Sequence, residues 1–248
     1  MKEKESTRLK WIYGILKVLF ILMVFVGVGF YIYMDDYYRP SVTAQSALKS
    51  VQGISYAEVN GDLVFTPDNP IGGVVLYPGG RVSEKAYGLL ASNIAAMGYK
   101  TVIIKAPLKL TILSNQAAKK YVDEEGISEW VIAGHSLGGV SASRFVKKNP
   151  DKIKALVLLA AYPDEGTDLK DVGFKVYSLL GTKDAIVNME KMKEARIRLP
   201  DTTVEVDIRG GNHSSFANYG VQDGDSLPDI GYAEQQNFVL DVIADAFK

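Results

Sequence analysis

From residue 73 onward the chain alternates short apolar runs with longer segments whose apolar residues recur every three or four positions. The runs Gly73-Val74-Val75-Leu76-Tyr77, 101–105, 129–134, 155–161 and 174–180 predict strands covered on both faces. Thr203-Val204-Glu205-Val206-Asp207-Ile208 alternates apolar with polar positions and predicts one more strand near the end of the chain. Between them, 83–97 (stopped by Gly98) and 114–125 predict helices, and a terminal helix is expected at 232–247. A further helix follows residue 136, with the stripe Val140, Ala142, Phe145 and Val146 closed by Asn149-Pro150. Ahead of these, residues 54–66 form two alternating runs around Asn60-Gly61, a hairpin signal. A hairpin followed by strand and helix repeats predicts an α/β fold: a mostly parallel twisted sheet with helices on both faces and chemistry at the strand C-terminal ends. The connection from Tyr162 to Phe174 is too short for a large cap domain.

Residues 11–33 are apolar except for Lys17, long enough to span a bilayer as one helix. Lys17 sits near one end, where its stem can carry the ammonium to the headgroups. Trp11 and Tyr13 at one end, and Tyr31, Tyr33, Tyr37 and Tyr38 at the other, have the spacing of interfacial aromatic belts. Lys2, Lys4, Arg8 and Lys10 precede the run and Asp35 and Asp36 follow it, so the positive-inside rule places the N-terminus in the cytoplasm. The expected organisation is a cytoplasmic tail at 1–10, a transmembrane signal anchor at 11–33, a juxtamembrane linker at 34–53 and one extracytoplasmic domain at 54–248. The alternative is a signal peptide cleaved near the small residues Gly27 and Gly29, but no Ala-x-Ala site follows and the run is long for a signal-peptide core.

Composition narrows the chemistry. A net charge of −1 with no dense basic stripe argues against a nucleic-acid partner. Cysteine is absent, which excludes disulfides, thiol nucleophiles and cysteine-ligated metal. No metal constellation stands out, because with both histidines otherwise assigned a site would rest on carboxylates alone. No cofactor is expected, and oligomeric state is not legible.

The strand ending Trp130-Val131-Ile132-Ala133 runs straight into Gly134-His135-Ser136-Leu137-Gly138-Gly139. A serine hydroxyl can attack a carbonyl from such a corner only if the backbone turns sharply, and glycines two residues before and after remove the side chains that would collide. Ser136 is therefore the expected nucleophile. Of the two histidines, His135 adjoins the serine and points away from it, reading as a packing residue. His213, on the loop Gly210-Gly211-Asn212-His213 after the last strand, is the expected base. The carboxylate that orients it is Asp184, after the strand 174–180, or alternatively Asp164, after the preceding strand; the chain order serine, acid, histidine favours Asp184. Oxyanion donors are expected from the backbone of Leu137, the residue after the nucleophile, and of Gly80 in the loop Pro78-Gly79-Gly80-Arg81, with Arg81 as the alternative. The Arg81 side chain is a candidate for binding a substrate carboxylate or for a surface ion pair.

These residues resemble the α/β-hydrolase superfamily over roughly 54–248, and its small dienelactone-hydrolase-like members more than the large lipases. The matching motifs are Tyr77-Pro78-Gly79-Gly80, Gly134-His135-Ser136-Leu137-Gly138-Gly139, Gly181-Thr182-Lys183-Asp184 and Gly211-Asn212-His213. Pro78 stands where many relatives carry a histidine. The segment 216–225 also resembles a subgroup of bacterial hydrolases. The resemblance implies Ser136, Asp184 and His213 as a triad with Gly80 and Leu137 as oxyanion donors. It implies a serine esterase acting on a small-molecule or lipid ester, and the apolar run 11–33 is expected to hold that enzyme to the membrane. Amide hydrolysis, acyl transfer, or a ligand-binding module without turnover are the alternatives.

Overall fold

A computed structural model describes residues 2–248, with side chains from residue 10 onward, so the basic side chains expected at positions 2, 4 and 8 lie outside the described residues. The chain forms two compact units, residues 1–37 and 38–248.

The first unit is one helix, α1 (Lys2–Asp35). Its Lys10–Asp35 portion is long and apolar enough to cross a membrane, and none of it is buried. At 1.5 Å per residue these 26 residues reach about 39 Å, more than the ~30 Å hydrocarbon core of a bilayer.

In the second unit, eight strands among the described residues build one sheet: β1 (Ile54–Val59), β2 (Asp62–Pro67), β3 (Gly72–Tyr77), β4 (Tyr99–Ile103), β5 (Trp130–His135), β6 (Ile153–Leu159), β7 (Lys175–Gly181) and β8 (Val204–Ile208). Their order is β1-β2-β4-β3-β5-β6-β7-β8. The hairpin β1–β2 and the β2–β4 pair are antiparallel, and every later pair is parallel. Alternation along each strand sends side chains to two cores. Val74 and Leu76 of β3 and Val131 and Ala133 of β5 face one core, which α3 (Gly88–Ala96) and α7 (Tyr232–Ala246) cover through Leu90, Ile94, Val239 and Ile243. Val75, Tyr77, Trp130 and Ile132 face the other, covered by α4 (Lys119–Val122) and α5 (Leu137–Lys148) through Tyr121, Val122, Phe145 and Val146.

Three elements differ from the sequence expectation. Helix 83–97 is split into a 3-10 turn at Glu84–Tyr87, capped by the Ser83 hydroxyl, and α3 beginning at Gly88. There the helix backbone approaches the carbonyl of Ala44 so closely that a side chain would be 2.8 Å from it. The helix expected over 114–125 shrinks to α4, its approach made of 3-10 turns. Residues 38–53, expected as part of a linker, belong to the compact unit. Tyr38 exchanges backbone hydrogen bonds with Arg81 and Ser83, and α2 (Val42–Ser46) buries Ala44. A lone bridge and one buried alanine leave no periodic trace in a sequence.

No helix intervenes between β6 and β7 among the described residues, so no cap covers the C-terminal edge there. From β7 to β8 the chain crosses through α6 (Met189–Ala195), whose N-cap is the Asn188 side chain.

Candidate active site

Ser136 links β5 to α5 with φ 52° and ψ −123°, a backbone conformation that L-residues rarely hold. Hydrogen bonds from its own N–H to the Leu159 carbonyl (3.0 Å) and from the Gly139 N–H to its carbonyl (2.9 Å) hold the corner. The flanking glycines are required by main-chain contact. A Cβ on Gly134 would strike the Gly138 carbonyl, and one on Gly138 would strike the carbonyls of Tyr77 and Pro78. Elbow and β3 loop thus touch through backbone atoms.

Asp184 lies three residues beyond the end of β7, in a tight loop fixed by the Asp184 N–H to Gly181 carbonyl bond. Its Oδ1 accepts hydrogen bonds from the amides of Ile186 and Val187, both 2.8 Å. Its Oδ2 is 2.8 Å from Nδ1 of His213, with both side chains 1 % exposed. A carboxylate oxygen accepts, so Nδ1 is the donor of this contact and Nε2 is the ring nitrogen left for another partner. Among the described residues Nε2 is buried with no hydrogen-bond partner. His213 and Ser136 share the wall of one cavity of about 300 Å³, completed by Leu137, Val140, Tyr162 and Ile186 among others.

Gly80 packs on Leu137, where an added Cβ would be 3.1 Å from its Cδ2. The Leu137 amide is the first of α5 and so has no intrahelical acceptor. The Gly80 amide makes no backbone hydrogen bond among the described residues. Gly80 thus lies against Leu137, the residue after the serine, and neither amide has a backbone acceptor among the described residues.

The remaining candidates lie apart. Asp164 is bound by Arg144 (2.6 Å) and Thr167. Burial raises its carboxyl, but the hydrogen bonds from Arg144 and Thr167 outweigh this and hold it below the ordinary value. Arg81, at φ 57°, is used through its backbone: it accepts from Tyr38 and donates to Lys109. Its side chain is not among those lining the Ser136 cavity.

His135 is buried and bridges two loops. Gly79 N–H donates to the Tyr87 hydroxyl (2.8 Å), which lies 2.7 Å from His135 Nδ1, and His135 Nε2 lies 3.0 Å from the His213 carbonyl. A carbonyl only accepts, so Nε2 bears the proton, Nδ1 takes the tyrosine proton, and the ring is neutral. Burial, reinforced by the neighbouring His213, pushes its pKa well below the ordinary histidine value.

Two residues that sequence reasoning did not single out organise the histidine loop. Asp225 accepts from the Ser214 amide (2.9 Å) and hydroxyl (2.6 Å) and from the amides of Ala185 (3.2 Å) and Ser226 (3.0 Å), tying the His213 loop to the Asp184 loop. Gln235 of α7 exchanges hydrogen bonds with both backbone groups of Asn212. A lone acid in a polar loop carries no local signal, although the Gly224-Asp225 turn lies in the segment whose resemblance to bacterial hydrolases was visible.

An antiparallel hairpin leading a parallel sheet, with a strained serine after β5 and an acid and histidine after β7 and β8, defines the α/β-hydrolase class. The chain belongs to the alpha/beta hydrolase family, whose model matches residues 73–237. It is 25% identical over 174 residues to a 2-hydroxy-6-oxononadienedioate/2-hydroxy-6-oxononatrienedioate hydrolase from a Pseudomonas species, a match covering 63% of this chain and 62% of that protein's length. Among solved structures it resembles dienelactone hydrolase from Anabaena variabilis, with TM-score 0.58 and 15% identity over 79% of this chain and 97% of the other. Monoacylglycerol lipase from Paleococcus ferrophilus is similar to the same degree, with TM-score 0.58 and 16% identity over 78% and 99% of the two chains.

Proposed function

We propose that this α/β hydrolase is a serine esterase that cleaves carboxylic esters through Ser136, His213 and Asp184. The observation that carries this reading is the buried, unpartnered Nε2 of His213, in a cavity shared with Ser136, while Asp184 holds the opposite ring nitrogen. In the proposed cycle Nε2 takes the Ser136 proton as Oγ bonds to the ester carbonyl carbon, and the carbonyl oxygen becomes negative. The amides of Gly80 and Leu137 hold that oxyanion. Collapse breaks the carbon–alkoxy bond, His213 gives its proton to the departing alcohol, and an acyl-enzyme remains. A water deprotonated by His213 then attacks the acyl carbon and releases the acid, restoring Ser136.

We further place the hydrolase domain outside the cytoplasm, tethered by α1, on the strength of the helix's length and the basic residues before it. Labelling with a fluorophosphonate tests the chemistry on the detergent-solubilised full chain. Labelling that disappears in Ser136→Ala and His213→Ala supports it, and a folded wild-type chain that never labels overturns it. Protease protection in intact cells tests the topology: a domain shielded from external protease would place it inside.

A further inference from the structure

Helix α6 buries little of its own surface. A helix packed on a sheet ordinarily buries an apolar stripe, yet Ala195 alone of the seven residues of α6 is buried. A cavity of about 230 Å³ is lined by Ser178 and Leu180 of β7 and by Met189 and Met192 of this helix. Leu199 and Arg196 also line it. The Arg196 guanidinium is neutralised by Glu205 (Nε to Oε1 2.6 Å) and donates to the Pro200 carbonyl (3.0 Å), so it offers no free charge to a ligand. Lys193 and Asp207, the other charged residues of the lining, are exposed. The interior is therefore largely apolar, with methionines that adapt to an irregular guest.

The cavity does not stand alone. Ala161 and Tyr162, which follow β6, line both it and the cavity that holds Ser136 and His213. Asn188, the N-cap of α6, and the adjacent Val187 also line the Ser136 cavity, so the lining of one space is continuous in sequence with the wall of the other.

We propose that the space lined by α6 and β7 is the acyl-chain site of the enzyme, selecting esters of unbranched acids of medium length. This inference rests on the esterase reading and adds the substrate class. The acyl group stays attached to Ser136 through both half-reactions, whereas the alcohol must leave first. A recess between helix and sheet suits the part that stays. With a methylene filling about the liquid volume of a water, ~30 Å³, the 230 Å³ space takes roughly seven carbons. Each methylene that enters strengthens binding by about 0.8 kcal/mol, roughly fourfold in kcat/KM per carbon until the space is full.

The test uses the detergent-solubilised full chain and p-nitrophenyl esters from acetate to palmitate. The expected profile rises from acetate through octanoate, peaks several carbons beyond roughly seven because the carbonyl carbon and the first methylenes occupy the Ser136 cavity, and falls by palmitate. In Met192→Trp, whose indole fills the space from an exposed helix, the octanoate-to-acetate ratio of kcat/KM falls at least tenfold. Met189→Trp serves the same purpose should the first variant not fold, and the wild-type series is decisive without either. A profile flat or falling from acetate, or a ratio unchanged in a folded tryptophan variant, overturns the assignment. Fluorophosphonate labelling of the wild-type chain separates the two failures. A chain that labels but shows no chain-length peak refutes the acyl site alone, and one that never labels refutes the esterase reading with it.

Discussion

Acidification should unfold this protein earlier than its carboxylates require, because His135 is held neutral inside it. The folded chain keeps His135 uncharged through burial and through His213, their rings 4.7 Å apart. The unfolded chain protonates it near the ordinary pKa of about 6.5. Above that pH both states are neutral and the contribution is complete. Below it the unfolded state binds a proton that the folded state refuses, so stability falls with pH by up to about 1.4 kcal/mol per unit until the folded pKa is reached. From pH 7.5 to 5.5 the loss assigned to this one side chain is about 1.4 kcal/mol, and carboxylates add to it only at lower pH. His135→Gln removes the titrating group. It also breaks the hydrogen bond to Tyr87, a cost of about 1–3 kcal/mol that does not vary with pH. Urea unfolding of wild type and variant at both pH values, followed by fluorescence of the fully buried Trp130, measures the difference. The wild-type advantage should shrink by about 1.4 kcal/mol at pH 5.5. An advantage that is the same at both pH values refutes the neutral, buried His135.

Asp184→Asn should lower kcat roughly 10⁴-fold, the magnitude seen for the same change in the Ser-His-Asp template, because the amide cannot hold the Nδ1-protonated tautomer. Asp164→Asn should leave turnover close to wild type, and steady-state kinetics that reverse this order would transfer the acid role. Asp225→Ala releases the Ser214 and Ala185 amides from their shared acceptor and lets the histidine loop shift; kcat should drop roughly 10–100-fold with KM little changed. An Asp225→Ala enzyme as fast as wild type would show that the loop holds without it. Gly138→Ala drives a methyl into the carbonyls of Tyr77 and Pro78 and should cost about 1–3 kcal/mol, seen as a lowered Tm; an unshifted Tm would contradict the close contact.

The sheet was legible because its strands are buried on both faces: Val131-Ile132-Ala133 is a continuous apolar run, and it pairs with a strand on either side. The elbow was legible for a related reason, since the glycines around Ser136 are dictated by steric contact within a few residues. His213 could be chosen because only two histidines exist and the other adjoins the serine. What escaped depends on contacts between distant segments. Nothing local in Asp225 announces that it will accept bonds from residues at 185 and 214, and nothing local in Tyr38 announces its pairing with Val82. The short helix α4 was overestimated because a helical pattern in 114–125 is compatible with successive 3-10 turns once Tyr77 and Asp62 engage the Ala118 amide and the Tyr121 hydroxyl.

The contact of the elbow with the β3 loop, and of β7 with the loop after β8 at Gly181 and Gly211, is made by main-chain atoms. Such a frame separates what can vary from what cannot. Val140, Tyr162 and Ile186 can be exchanged to reshape the cavity while the backbone that positions Ser136, Asp184 and His213 stays in place. Gly134, Gly138 and Gly181 admit no such freedom, for any side chain there must displace a peptide unit. A laboratory selection for new esters should therefore gather its substitutions on the cavity wall and leave these three glycines untouched. Evolvability in this molecule is a property of where its backbone touches itself.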